Sequence, residues 1–199
     1  MPRIAAHVTS QPLFKVFASM VEKVPSEIEY MVNCLEGGKA IGSKCKVFKY
    51  TIISKKGKHD PFLAQNVLAG VRKAIVGGKG GEAALKYSSD RTFVCPVDTI
   101  ADNLKIVEEA INTANAKDIY TIGLSWAADT LFSADTKKYE LENPKTPFDS
   151  DQMIDYLVKL CIDKPVISYL EDPLAASEQA SWKKLQVKLV ISLGKAYRE

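Results

Sequence analysis

The stretch Tyr120–Phe132, YTIGLSWAADTLF, reads as one buried strand whose C-terminal end runs out into a loop. No charged residue interrupts it before Asp129, so both faces are expected to be covered, as in a parallel sheet. Just upstream, Ile100, Leu104, Val107, Ala110 and Ile111 form the apolar stripe of a helix over Thr99–Ala114. Downstream, Ser133–Lys138 has the character of a hairpin tip inside an excursion from Leu131 to Asn143. Asp149–Asp151 supplies capping residues for a helix through Asp163, with Met153, Ile154, Leu157, Val158 and Cys161 on one face, and Pro165 stops it. Val166–Leu170 is a second strand, Ser177–Val187 a short helix with Trp182 and Leu185 inward, and Leu189–Leu193 (LVISL) is predicted as a final strand. Strand, helix and strand in succession, twice over, implies parallel pairing through right-handed crossovers, hence an α/β barrel or open sheet.

The first half opens differently. Gln11–Val24 has a mostly helical apolar spacing that stops at Pro25. Met31–Leu35 and Lys46–Ser54 are two strands separated by the turn residues Glu36-Gly37-Gly38. From Asp60, a good N-cap followed by Pro61, the apolar residues Phe62, Leu63, Val67, Leu68, Val71, Ile75 and Val76 take helical spacing. Gly77–Gly81 ends that helix; without a preceding strand or the Gly-x-x-x-x-Gly-Lys-Ser/Thr spacing it is an interhelical connection and not a phosphate cradle.

At 199 residues and 46% hydrophobic the chain can build one ordinary core. A net charge of +3 with scattered lysines implies no nucleic-acid or membrane partner, and the lysine-rich run Lys44–Lys58 reads as a solvated strand edge. Four cysteines lie without a Cys-x-x-Cys pair and far in sequence from His7 and His59, which argues for reduced thiols and against zinc. No apolar run reaches the ~18 residues of a membrane span, and the N-terminus lacks a signal-peptide core, so the expected compartment is the cytoplasm.

Several short segments resemble, in one order, those of the enolases. Pro12-Leu13-Phe14-Lys15 is similar to the Pro-Leu-Tyr-Arg that closes the enolase small domain, and Met31–Gly42 (MVNCLEGGKAIG) to Asn-Val-Leu-Asn-Gly-Gly-Ser-His-Ala-Gly. Val47–Ile53 (VFKYTII) falls on Leu-Gln-Glu-Phe-Met-Ile, and Tyr120–Ser125 on a strand in which an Asp follows Ile-Gly-Leu. Lys138–Leu141 resembles Lys-Tyr-Asp-Leu, and Val166–Leu174 (VISYLEDPL) resembles Val-Val-Ser-Ile-Glu-Asp-Pro-Phe, with Trp182 after it. The resemblance implies a partial enolase-type barrel: two strands, two helices, then alternating strand and helix units, about five strands in all. Residues 1–29 would then be the helical end of a small domain, and residues 30–199 an incomplete barrel domain.

Enolases, as the resemblance implies, use Mg²⁺, a Lys base and a Glu acid to remove a proton beside a carboxylate and expel hydroxide. Position by position the match is degenerate. The family's loop His falls on Ala40, the Glu of Gln-Glu-Phe falls on Lys49, and Ser125 replaces the first metal ligand. The acid-bearing turn falls near Ser88–Thr92, where Asp90 is the candidate carboxylate, and Glu171 is the candidate second metal ligand. One extra residue in Ser168-Tyr169-Leu170 precedes Glu171, and a one-residue slip turns a side chain to the opposite face. A hydroxyl cannot replace the charge a hard divalent cation requires. The expected protein is therefore a catalytically inactive enolase-like scaffold or interaction component without a cofactor. By resemblance to divergent members of sperm and cilia, it could belong to the axoneme of a cilium or flagellum. The alternative is a phosphopyruvate hydratase that dehydrates 2-phosphoglycerate with Mg²⁺ in glycolysis. A third reading gathers Lys39, Lys44 and Lys49 around the old pocket to bind an anion. Five strands leave open edges, so a protein partner or the rest of a longer chain is expected to cover them.

Overall fold

The computed structural model describes residues 2–22, 28–141 and 146–193. Two short helices lead in, α1 (Pro2–Val8) and α2 (Leu13–Met20), neither with a buried residue. The predicted helix start before Leu13 holds, with Pro12 at the N-cap; the expected stop at Val24 and Pro25 lies outside the described residues. Strand β1 (Met31–Glu36) then pairs antiparallel with β2 (Lys49–Ser54). The strand predicted from Lys46 starts three residues late, because the chain at Val47 and Phe48 is still closing the loop. There the Gly37 amide donates to the Phe48 carbonyl at 2.8 Å.

Helix α3 (Pro61–Gly77) begins where sequence placed it: the Asp60 Oδ1 accepts from the Phe62 and Leu63 amides, both at 3.0 Å. Ala64, Val67, Val71 and Ile75 are its buried face, whereas Phe62, expected among them, is 77% exposed. The glycine cluster leads into a 3₁₀ turn at Gly81–Ala84, tied back by a salt bridge from Arg72 to Glu82. A two-residue strand that the sequence reading did not contain, β3 (Phe93–Val94), pairs parallel with β1. Helix α4 (Ile100–Thr113), capped by Thr99, packs on α3 and buries the predicted stripe.

The quoted strand is β4 (Tyr120–Ser125), antiparallel to β2. The hairpin follows as β5 (Phe132–Ser133) and β6 (Lys138–Tyr139), then α5 (Ser150–Asp163) with an Asp149/Gln152 capping box. Strand β7 (Ile167–Glu171) pairs parallel with β4, as the strand–helix–strand order required. The predicted final strand is a correction: LVISL is the end of one continuous helix, α6 (Gln179–Leu193). Leu185 and Leu189, four apart, are buried. Lys184 and Lys188, also four apart, reach Asp151 and Asp155 on α5. Docking on α5 at helical period overrides the β-branched composition.

Five strands thus form one sheet in the order β3-β1-β2-β4-β7. Tyr50, Ile52, Ile122 and Leu124 join Val67, Val71, Leu104 and Val107 in the helix-side core. Their alternates Lys49, Thr51, Gly123 and Ser125 line the inner face.

Candidate functional site

The inner-face residues at the strand ends fall in one row. Glu36 is the register partner of Lys49, Lys49 of Ser125, and Ser125 of Glu171. These pairs share a level at the C-terminal ends of β1, β4 and β7, so the row forms a lip where catalytic groups of barrels are usually mounted. The extra residue before Glu171 does not reverse it. Ile122 pairs with Ile167 and Gly123 with Tyr169, so Ser168 is accommodated as a bulge, its Oγ 2.6 Å from the Thr121 Oγ1. Register is restored by Leu170, and Glu171 ends the strand exposed to solvent beside Ser125.

Lys49 is the cationic member of the row. Its Nζ lies 3.0 Å from the Asp90 Oδ2 and 5.0 Å from the centre of the Phe48 ring. Asp90 is carried in by a tight turn in which the Ser88 amide donates to the Thr92 carbonyl at 2.9 Å and Arg91 takes a φ of 59°. Glu36 was missed by sequence reasoning, which saw only a turn before two glycines. It is 3% exposed, and its Oε2 is buried with no hydrogen-bond partner among the described residues. Ala40 is exposed on the 3₁₀ turn Lys39–Ile41, which follows β1. Lys39 is exposed on the same turn, and Lys44 is engaged at the surface by Asp98 at 3.3 Å. The Tyr169 phenol is pushed above its ordinary range by burial first, then by the charges of Glu171 and Asp172. Trp126, just past the lip, is fully buried edge-on to Tyr156 at 6.1 Å, a packing role.

Residues 24–193 match the family described as enolase, C-terminal TIM barrel domain. The chain belongs to the enolase family. It is 27% identical to the enolase of Methanococcus aeolicus, over 94% of this chain and 43% of that protein. It is 26% identical to the enolase of Metallosphaera sedula, over 82% and 40%, and to that of Sulfolobus acidocaldarius at 26%, over 80% and 38%. The chain therefore spans less than half the length of these curated relatives. Its five-stranded mixed sheet is part of the enolase barrel.

An enolase implies Mg²⁺, and the lip does not fit it. Among the described residues no three of His, Cys, Asp and Glu stand together as a metal cluster. Ser125 contributes a neutral hydroxyl, and its register partner Lys49 brings a positive charge. Hard divalent cations gather several anionic oxygens and are repelled by a neighbouring positive charge. Aligning the two glycines of the family's Asn-Gly-Gly with Gly37 and Gly38 puts Glu36 on the Asn. The signal for Glu36 was therefore present: an acid directly before a paired glycine at a strand end. Among the described residues no helix is long and apolar enough to cross a membrane.

Proposed function

We propose that this enolase-family chain is catalytically inactive and serves as a structural or interaction component of a larger assembly. The observation that carries this reading is Lys49, standing between Glu36 and Ser125 in the row with its ammonium on Asp90. A lip whose positive charge is built into the side chains has no electrostatic need for Mg²⁺, and Glu171 as the single carboxylate in register with Ser125 is too few for a hard divalent cation.

The sheet supports the second half of the reading. Strands β3 and β7 are its two edges. A barrel of eight strands hides such edges, whereas an open sheet must have them covered. The cover we propose is a polypeptide partner, either another subunit or the rest of a longer enolase-like chain. The proposed setting is the cytoplasm, with the axoneme of a cilium or flagellum as its finer form, supported by the resemblance to divergent family members alone.

Magnesium-dependent dehydration of 2-phosphoglycerate, assayed on the protein as isolated with whatever chains accompany it, tests the first half. No turnover is expected. Turnover that vanishes in Glu171→Ala would favour the second reading, a working phosphopyruvate hydratase. The restored register of Glu171 with Ser125 is the observation on that side. For the partner, residues 1–199 expressed alone should aggregate or melt without cooperativity; a soluble monomer with a sharp two-state melt counts against a required cover.

A further inference from the structure

The lip keeps more carboxylate than the hydroxyl at Ser125 suggests. Glu36 brings a buried oxygen without a donor, Glu171 ends β7 at the same level, and Asp90 reaches in from its turn. Against these three acids stands Lys49, its side chain 20% exposed. Register partners on an antiparallel pair hold their Cβ atoms about 5 Å apart, so Lys49 is a cationic side chain mounted next to the buried Glu36 while its ammonium pairs with Asp90. A buried carboxylate left without any cation would be costly, and Lys49 is the positively charged register partner of Glu36.

We propose that Lys49 is the resident cation of this lip, taking beside Glu36 and Asp90 the electrostatic part of a divalent ion, and that Lys49, not the hydroxyl at Ser125, determines that such an ion is refused. This rests on the inactive-lip reading above. The register makes the two residues separable. An acid introduced at Ser125 would face Lys49 directly and pair with its ammonium instead of collecting an ion. Removing the ammonium leaves Glu36 and Asp90 without the cation that register and the ion pair set beside them. Even at the dielectric of water, a unit charge about 5 Å from a divalent ion weakens its binding about tenfold, and a partly buried lip enlarges the factor.

Mn²⁺ binding by electron paramagnetic resonance, on the protein in the form in which it is isolated, tests the inference. Wild type and Ser125→Asp are expected not to bind at millimolar ion. Lys49→Gln should bind at least about tenfold better than wild type, and the gain should be lost in Lys49→Gln combined with Glu36→Gln. Binding by Ser125→Asp with Lys49 in place overturns the proposal, as does a Lys49→Gln protein of wild-type far-UV circular dichroism that binds no better than wild type. If Lys49→Gln does not fold, Ser125→Asp decides: binding overturns the proposal and its absence supports it. The failures remain distinguishable. Wild type that binds Mn²⁺ and turns over 2-phosphoglycerate sinks the inactive-lip reading, whereas inert wild type with no gain in Lys49→Gln sinks this inference alone.

Discussion

Gly37→Ala tests how the lip is held, and its cost can be worked from the geometry. A Cβ added at Gly37 would sit 2.4 Å from the Val47 carbonyl oxygen and 3.1 Å from that of Cys45. Both are backbone atoms of the loop returning from β1 to β2. That loop is pinned by hydrogen bonds of 2.8 Å from the Gly37 amide to Phe48 and from the Gly38 amide to Cys45. Relief of the clash must break or stretch these bonds, about 1 kcal/mol each, on top of roughly 1–3 kcal/mol of overpacking strain. The sum is about 3–5 kcal/mol, a large part of an ordinary domain's stability. Gly123→Ala is the control. Its added Cβ also comes within 2.7 Å of Ile53 Cδ1 and Thr51 Oγ1; the Ile53 end can swing aside and Thr51 gives up one side-chain hydrogen bond to the Gly123 carbonyl, with no backbone shift, so about 1–3 kcal/mol is expected. Urea unfolding of both variants, in the form in which the protein is isolated and followed by the fluorescence of buried Trp126, should place Gly37→Ala lower by about 2 kcal/mol with unchanged slope. Equal losses, or a greater loss at Gly123, would refute the backbone-versus-side-chain reasoning.

The continuity of α6 predicts that Leu189→Ala costs about 2–5 kcal/mol, since Leu189 is 3% exposed. Ile191→Ala, at 78% exposure, should change stability by less than about 0.5 kcal/mol; comparable losses at both would point to a strand with 189 and 191 on one face. Stability should also fall at alkaline pH. The Cys34 thiol is pushed by burial from 9.0 up to about 12, partly opposed by a hydrogen bond with the Ile52 backbone, and burial is the leading cause of the raised Tyr120, Tyr139 and Tyr169 phenols. The unfolded chain releases these protons first, so the folded form loses its advantage as pH climbs from about 9 toward 12. Urea midpoints at rising pH check the sign, and Cys34→Ala should flatten the decline; an unchanged slope refutes it. Removing the α3 cap, Asp60→Ala, should cost about 0.5–2 kcal/mol in the same assay.

Much of the fold was legible because its signals are local. The Asp60 and Asp149 caps, the stripes of α4 and α5, and the hairpin tip at Ser133–Lys138 are set by residues within a few positions of one another. Where sequence failed, composition and docking disagreed. Val190 and Ile191 suggested a strand, while the pairs Leu185/Leu189 and Lys184/Lys188 already carried the helical period that α5 selects. Strand β3 has two residues, too short for any periodicity to register.

The sequence alone determined identities: Ser125, Lys49 and Ala40 stand where the resemblance to enolases puts an acid, a carboxylate and a histidine, whatever the fold. Only tertiary structure decided what the remaining groups do together. The bulge at Ser168 returns Glu171 to the inner face, strand pairing sets Glu36 against Lys49, and a distant turn delivers Asp90 to the ammonium. Each depends on register between strands far apart in the chain. Register is chosen by the packing of a whole sheet face, which no local window of sequence contains.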